Sequence, residues 1–187
     1  MAIVKDAIDG ERMFLPSTGN NNHMSHIVAY ARAVPRVVGK KVTDLCCGTG
    51  YGTRMLSEAA ENVLGIDYSE SAIAYNNTRP MPNVVYGLLD IENMGRLNTE
   101  IITCMQGLEH LDNPKQLIQD NLDKTWIIAV PNDGDDTNIH HHHKINENMI
   151  YDWFNGDVSI EYFDDFGNFS STPPEWYTNF YCVHEGK

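Results

Sequence analysis

The segment VTDLCCGTGYGT carries the clearest chemical signal in the sequence, because an apolar run ends in glycines at alternate positions. Gly48, Gly50 and Gly52 follow this run and precede a helical stretch. Glycine permits a positive φ and lets a ligand approach the backbone closely. The spacing GxGxG, in place of GxGxxG, points away from a dinucleotide whose pyrophosphate sits on the helix. We therefore expect a different small ligand at this turn.

Two aspartates follow the next two apolar runs. Asp67 ends the run VLGID, about 20 residues beyond the glycines, where a carboxylate can accept hydrogen bonds from both hydroxyls of a ribose. Asp90 stands in GLLDIENM, where its carboxylate can accept from an adenine amino group and Ile91 can pack on the ring. Each aspartate alone could simply cap a helix. Together with the glycine turn, they predict a nucleoside site.

A second group of chemically capable residues follows the fourth and fifth apolar runs. The segment CMQGLEHLDNP contains Gln106, Glu109 and His110, and four histidines occupy residues 140–143. His110 or a loop histidine could act as a general base, since imidazole titrates near neutral pH. Glu109, His110 and one loop histidine could instead bind a divalent cation. Alternatively, His110 packs against the strand and the loop histidines are solvated. We predict Glu109, His110 and His143 as the catalytic residues.

Hydrophobic periodicity predicts the elements that position these residues. Short β-type runs alternate with helical stretches from about residue 40 onward, which favours βαβ units and a mainly parallel sheet. The predicted strands are 42–46, 62–66, 84–86, 101–105, 126–130, 158–163 and 176–183. The predicted helices are 24–33, 53–60, 69–77, 114–122 and 146–154. The last two strands are expected to form a hairpin pair at the sheet edge, separated by a loop.

Length and composition favour one globular domain. The chain has 187 residues, 42% of them hydrophobic, and a formal net charge of −13. We predict a single domain over 1–187, with a loop and helix over the site (1–40), a cofactor-binding half (41–132), and the histidine loop with the last strands (133–187). The acidic charge disfavours nucleic acid and anionic lipid as partners. No run approaches the roughly 20 apolar residues that cross a bilayer, so we expect a cytoplasmic protein without a membrane partner.

The order of motifs resembles the class I S-adenosylmethionine-dependent methyltransferases. The resemblance is strongest to a branch with an ERF-P start, a histidine and a tyrosine on the leading helix, a GYG turn, an EHL motif and a PN turn followed by histidine. Here these elements are Glu11 with Arg12, His26 with Tyr30, GKKVTDLCCGTGYG, LEHL at 108–111, and PN at 131–132. The resemblance implies a Rossmann-like α/β fold: a seven-stranded, mostly parallel sheet with helices on both faces and its last strand antiparallel.

The resemblance also implies S-adenosylmethionine as cofactor and S-adenosylhomocysteine as product. Asp44 and the glycines would hold the methionine portion, Asp67 the ribose, and Asp90 with Ile91 the adenine, while Tyr30 would close over the cofactor. The full set of implied cofactor-binding residues is Tyr30, Asp44, Gly48, Thr49, Gly50, Gly52, Asp67, Tyr68, Asp90, Ile91 and Gln106. This chain departs from the family at Ala29, where an arginine often precedes the tyrosine.

The expected function is methyl transfer to an oxygen or nitrogen acceptor on a small molecule or an exposed group. One alternative is an enzyme that consumes S-adenosylmethionine without transferring the methyl group, for which turnover with cofactor alone would speak. Another is a catalytically silent cofactor-binding protein that retains the cofactor without transfer. A metal-dependent RNA 2′-O-methyltransferase, which the Glu109 and His110 motif resembles, is disfavoured by the acidic composition. No metal is assigned from the sequence.

Overall fold

The computed structural model describes residues 22–132, 141–175 and 177–187. The strands are β1 (Lys41–Leu45), β2 (Asn62–Asp67), β3 (Val84–Leu88), β4 (Ile101–Met105), β5 (Thr125–Pro131), β6 (Ser159–Phe163), β7 (Phe169–Ser170) and β8 (Asn179–His184). The helices are α1 (Asn22–Ala33), α2 (Tyr51–Ser57), α3 (Glu70–Asn77), α4 (Pro114–Asp120) and α5 (Glu147–Trp153). In the described part of the chain, no helix is both long and apolar enough to cross a bilayer.

The strands form one sheet in the order β3-β2-β1-β4-β5-β8-β6-β7. Strands β1 to β5 are parallel, β8 is antiparallel to both β5 and β6, and β7 is antiparallel to β6. The chain order reverses between β1 and β4. In open parallel sheets this reversal opens a crevice at the carboxyl ends of the strands, which is where ligands bind.

The core lies on both faces of this sheet. Ile102 and Cys104 of β4 pack into one cluster with the buried side chains of α4 and α5. Ile101 and Met105 of the same strand pack into the other cluster with Tyr30 of α1. Successive side chains of a strand point to opposite faces, so a strand buried on both sides reads as a continuous apolar run. The Rossmann-like arrangement predicted from the sequence is confirmed.

Two details of the predicted sheet are wrong. Over the described residues the sheet has eight strands, because the segment predicted as a loop between the last two strands contains the two-residue strand β7. The last two predicted strands pair antiparallel as expected, but they are not at the edge, because β8 lies between β5 and β6 and β7 is the edge strand. All six residues of β8 are buried, and such a strand is most stable with a hydrogen-bonded neighbour on each side.

The predicted boundaries differ from the observed ones by less than one helical turn in the five helices. The largest difference is in α2, which begins at Tyr51 because Gly50 caps it with a left-handed φ of 69°. The chain leaves this helix after Ser57, and the Ala59 carbonyl then accepts from the Gly39 N–H at 2.9 Å. By contrast, α3 begins at Glu70, one residue after its predicted start, because Ser69 caps it and its side chain accepts from the Ala72 N–H.

A buried carboxylate joins three elements at the order reversal. Asp44 of β1 has no exposed surface and accepts hydrogen bonds from the hydroxyls of Thr53 in α2 at 2.6 Å, Thr103 in β4 at 2.7 Å and Tyr30 in α1 at 3.1 Å. Burial raises the pKa of Asp44 from 3.8 to about 6, against the opposite effect of these three hydrogen bonds. The N-terminal helix is thereby attached to the centre of the sheet.

Gly52 allows α1 and α2 to approach each other closely. A Cβ atom at Gly52 would lie 2.0 to 2.4 Å from three ring carbons of Tyr30. The Tyr30 ring is buried, and its hydroxyl is bound to Asp44, so the ring has little freedom to move away. The close contact of these helices therefore requires a residue without a side chain at this position.

We expect Gly52→Ala to destabilise the fold by about 1–3 kcal/mol, the usual cost of overpacking a core. Helix propensity alone would favour alanine by about 1 kcal/mol. The net destabilisation is therefore expected from the clash with Tyr30. Urea denaturation of both proteins measures the difference. Gly95→Ala is the matched control, since a Cβ there meets nothing within 4 Å, and it should be nearly neutral. A Gly52→Ala protein as stable as the parent would contradict the described packing of Tyr30.

The Asp44 carboxylate predicts a pH dependence of stability. Because its folded-state pKa is raised, the native state holds the proton more tightly than the unfolded chain between about pH 4 and pH 6. Ionisation of Asp44 therefore lowers the free energy of unfolding as pH rises through this window, by about 3 kcal/mol at most. Asp44→Asn removes this contribution. The free energy of unfolding of the variant, relative to that of the parent, should therefore be higher at pH 7 than at pH 4.

Asp157→Asn provides a control of opposite sign. Lys187 lowers the pKa of the exposed Asp157, so the stability that this ion pair adds is present above the ordinary pKa of aspartate and is lost as pH falls. The free energy of unfolding of this variant, relative to that of the parent, should thus be lower at pH 7 than at pH 4. Equal effects of Asp44→Asn at both pH values would show that the Asp44 carboxylate is not buried as described.

Candidate functional site

A cleft of about 550 Å³ opens at the carboxyl ends of β1, β2, β3 and β4, beside α1. Its volume is typical of small-molecule sites. It is lined by most of the predicted cofactor-binding residues, namely Tyr30, Gly48, Thr49, Asp67, Tyr68, Asp90, Ile91 and Gln106. The lining also includes residues that were not predicted as site residues, namely His26, Cys46, Cys47, Tyr51, Leu89, Glu92, Met105, Leu111, Asp112 and His142.

The glycine turn forms one wall of the cleft in a left-handed backbone conformation. Cys46, Gly48 and Gly50 have φ angles of 54°, 52° and 69°. The Gly48 N–H donates to Asp67 Oδ2 at 2.8 Å, and the Gly48 carbonyl accepts from Asn76 Nδ2 at 2.8 Å. A Cβ at Gly48 would meet nothing within 4 Å. The turn is thus fixed by hydrogen bonds and still leaves space for a ligand against its backbone.

Asp67 is held by the backbone around it. It is only 6% exposed, and while Oδ2 accepts from Gly48, Oδ1 accepts from the Ser69 N–H at 2.9 Å. An ionised carboxylate has about four lone-pair directions, so each oxygen can accept one more hydrogen bond. This arrangement suits the two adjacent hydroxyls of a ribose.

Asp90 and Ile91 stand at the far end of the cleft. The Asp90 carboxylate accepts from the Glu92 N–H at 3.1 Å, which starts a 3-10 turn over Ile91–Asn93. Ile91 is 5% exposed, while Leu89 is 48% exposed and also lines the cleft. An apolar wall beside a carboxylate can receive a flat heterocycle that carries an amino group. The sequence signal for Leu89 was weak, since an exposed leucine at a strand end is common.

Three of the predicted cofactor-binding residues lie behind the cleft. Asp44 is enclosed by its three hydroxyl donors, and Gly52 lies under the Tyr30 ring. A Cβ at Gly50 would come within 2.7 Å of the side chains of Tyr86 and Asn76. Neither Asp44, Gly50 nor Gly52 is among the lining residues. Their geometry supports the turn from behind.

Helix α1 covers the cleft with aromatic side chains. The His26 Nδ1 atom lies 2.8 Å from the Tyr51 hydroxyl, and the Tyr30 and Tyr51 rings meet edge to face at 5.7 Å. Burial raises the pKa values of both tyrosines well above their ordinary range, so the hydroxyls stay protonated. His26 and Tyr30 are four residues apart and share one helix face. That spacing and the leading-helix motif were the available signals for His26, and Tyr51 stood in the GYG turn without being predicted as a site residue.

Glu109, His110 and His141 come together at the mouth of the cleft. Glu109 is 1% exposed, and its Oε1 lies 3.9 Å from His110 Nε2. The His110 and His141 rings are 5.1 Å apart. One ligand atom from each of the three residues lies within 4.8 Å of the other two. Of the three residues, His110 lines the cleft, so the cluster adjoins the cleft through this side chain.

The remaining loop histidines are anchored to the turn after β4. The His142 N–H donates to the Glu109 carbonyl at 2.8 Å, and the His142 ring contacts Asp112 Oδ1 at 2.8 Å. His143 Nε2 lies 3.2 Å from the Asp112 carbonyl and is not a lining residue. The geometry therefore favours His141 over His143 as the partner of His110. His140, like Glu11 and Arg12, lies outside the described residues.

Comparisons with known proteins show which sequences and folds this chain resembles. Residues 42–122 match the family described as "Methyltransferase domain". A probable S-adenosylmethionine-dependent methyltransferase from Mycolicibacterium smegmatis is 26% identical over 133 residues, which cover 67% of this chain and 51% of the relative. The chain thus matches only about half the length of this curated relative.

Solved structures show the same fold at lower identity. A methyltransferase from Clostridium acetobutylicum superimposes with a TM-score of 0.67 at 14% identity, covering 91% of this chain and 94% of that one. Magnesium protoporphyrin IX methyltransferase from Synechocystis, solved with bound S-adenosylmethionine, superimposes with a TM-score of 0.60 at 16% identity. The match covers 89% of this chain and 79% of that one. Together, the motifs, the fold and these relatives show that the chain is similar to the class I S-adenosylmethionine-dependent methyltransferases.

Proposed function

We propose that the protein transfers the methyl group of S-adenosylmethionine to an oxygen or nitrogen atom of a small molecule or of an exposed group on a partner. The observation that carries this proposal is the cleft itself. The glycine turn, Asp67 and Asp90 follow β1, β2 and β3, and His110 follows β4 at the same edge. A nucleoside ligand and a proton acceptor can therefore occupy one continuous space.

The cofactor would lie across the strand ends in the order of the sheet. Asp90 and Ile91 would bind the adenine beside β3, and Asp67 would accept from the ribose hydroxyls beside β2. The methionine portion would extend past Gly48 toward β4. The resemblance to class I methyltransferases supports this order, and the open space beside Gly48 and the hydrogen bonds on Asp67 agree with it.

Methyl transfer requires alignment and removal of one proton. The bound sulfonium would supply an activated methyl group, and its carbon–sulfur bond would break as the acceptor's lone pair bonds to the methyl carbon, which leaves S-adenosylhomocysteine. The His110 imidazole would take the acceptor proton, and the buried Glu109 carboxylate, 3.9 Å away, would stabilise the imidazolium. Much of the rate gain comes from in-line positioning, since the sulfonium is already an activated donor.

The first test concerns ribose recognition. We expect Asp67→Asn to weaken S-adenosylhomocysteine binding about tenfold or more, because an amide keeps one acceptor oxygen where the carboxylate has two, and hydrogen bonds to charged groups are the stronger ones. Isothermal titration calorimetry measures the affinity. Asp152→Asn, an exposed exchange on α5, is the matched control and should bind normally. Undiminished affinity in Asp67→Asn would remove Asp67 from the site.

Methyl-labelled S-adenosylmethionine incubated with fractionated cell extract tests the reaction. Label in an acceptor fraction, lost in His110→Ala, supports methyl transfer. Cofactor turnover without any acceptor would support the enzyme that consumes S-adenosylmethionine in another way. Tight cofactor binding with neither outcome would support the catalytically silent protein.

A second candidate is metal-assisted methyl transfer, favoured by the cluster at the mouth. Glu109, His110 and His141 offer one carboxylate and two imidazoles within 4.8 Å of one another. This mixed set suits a divalent transition metal better than Mg²⁺ or Ca²⁺, which prefer oxygen ligands. A cation there would act as a Lewis acid toward an acceptor hydroxyl. His110 would then be a ligand and would no longer serve as the base.

Binding of Mn²⁺ or Zn²⁺ to chelator-treated protein tests this candidate. His141→Ala should lower the affinity at least tenfold if the cluster is a metal site, because one of its three donors is lost. His143→Ala, in the same loop but with its ring on the Asp112 carbonyl, is the matched control. Equal losses in both variants would indicate adventitious binding by the histidine run. Full methyl transfer after chelation would favour the general-base mechanism.

A further inference from the structure

A chain of polar side chains leads from the turn between β6 and β7 to the cleft. Gln106 Nε2 donates to Asn179 Oδ1 at 2.9 Å. Asn179 Nδ2 donates to Thr178 Oγ1 at 2.7 Å and to Asp165 Oδ1 at 3.3 Å. The Thr178 hydroxyl itself donates to Asp165 Oδ1 at 3.0 Å. These contacts form a relay from Asp165 through Asn179 to Gln106.

The Asp165 carboxylate sets the direction of every donor in this relay. An ionised carboxylate only accepts hydrogen bonds, so the Thr178 hydroxyl must direct its hydrogen to Asp165. The Thr178 oxygen is then an acceptor for Asn179. Asn179 can donate to both the Asp165 carboxylate and the Thr178 oxygen only if its amide nitrogen Nδ2 faces them. Its oxygen Oδ1 then faces Gln106. Gln106 must therefore use Nε2 toward Asn179, and its carbonyl oxygen Oε1 is left as an acceptor.

The backbone holds both amides rigidly. Gln106 has a left-handed φ of 55°, which is uncommon for a residue with a side chain, and its N–H donates to the Ala129 carbonyl at 2.7 Å. Asn179 is 5% exposed and pairs in register with Pro131 of β5 and Phe163 of β6. Such a conformation persists when the surrounding contacts overdetermine it, a situation that is common at functional sites.

The position of Gln106 in the sheet indicates which part of a bound ligand would lie beside it. Asp90 and Asp67 follow β3 and β2 on one side of β1, whereas Gln106 follows β4 on the other side. An adenosyl group held by the two aspartates therefore directs its amino-acid end toward Gln106. That end carries an ammonium group, which only donates hydrogen bonds. The carbonyl of Gln106 and this ammonium are complementary.

We propose that Asn179 is a positioning residue that presents the carbonyl of Gln106 to the ammonium group of the bound cofactor. The inference rests on the proposed function, because it takes an S-adenosyl ligand in the cleft as given. It adds a residue from β8, distant in sequence from the glycine turn, to the determinants of cofactor binding. It also assigns the binding role of Gln106 to one atom, Oε1.

Calorimetry with S-adenosylhomocysteine and with adenosine tests the proposal, since adenosine lacks the ammonium. Asn179→Leu and Gln106→Leu should each weaken S-adenosylhomocysteine binding about tenfold, the effect of one hydrogen bond to a charged group, and leave adenosine affinity unchanged. The double variant should be no weaker than Gln106→Leu, because both changes remove the same contact. Equal losses for both ligands, or additive losses, would overturn the proposal in favour of a merely structural role.

An exchange of the first two residues of the relay, Asp165 and Asn179, provides a rescue. In the double variant Asp165→Asn with Asn179→Asp, the new carboxylate still accepts from Gln106 Nε2 and from the new amide, so S-adenosylhomocysteine affinity should stay near that of the parent. Asn179→Asp alone sets two carboxylates together and should weaken binding. Failure of the exchange to restore affinity would contradict the relay. If the parent itself bound no S-adenosylhomocysteine, the proposed function would fail, and the Asp67 test would reveal it separately.

Discussion

The buried carboxylate of Asp44 is the contact on which the site depends most. It has no exposed surface, and hydroxyls from α1, α2 and β4 donate to it. Removing a carboxylate from water is costly unless hydrogen bonds replace the lost hydration, so these elements must converge on β1 for the fold to be stable. This convergence places Tyr30 over the cleft and fixes the start of the glycine turn. The residue that the resemblance assigned to the cofactor thereby organises the cleft from behind.

The two sides of the cleft differ in how they are built. Along the glycine turn, Gly48 is held between Asp67 and Asn76, and Asp67 is held between Gly48 and Ser69. Each of these contacts uses a backbone group. At the mouth, His110 and His141 meet through side chains on a short turn and a loop.

Sequence reasoning succeeded where the signal was local. Alternating runs of strand and helix residues located the central sheet, and Ser69 marked the start of α3 through its own side-chain hydrogen bond. Sequence reasoning failed where contacts between residues that are distant in sequence determine the structure. The interior position of β8 follows from burial of all six of its residues against β5 and β6, and the same residues would fit an edge hairpin. Likewise, nothing near Gln106 in sequence indicated that Asn179 contacts it.

The sequence by itself determined the fold class, the glycine turn and the two aspartates that end β2 and follow β3, because each depends on neighbours a few residues away. Tertiary structure alone decided which residues line the cleft. Asp44 and Gly52 turned inward, since a buried carboxylate needs the hydroxyls around it and Tyr30 occupies the space above Gly52. Tertiary structure also brought His141 to His110 and Glu109. The sequence could not select His141, because four consecutive histidines are alike in sequence and only the path of the loop distinguishes them.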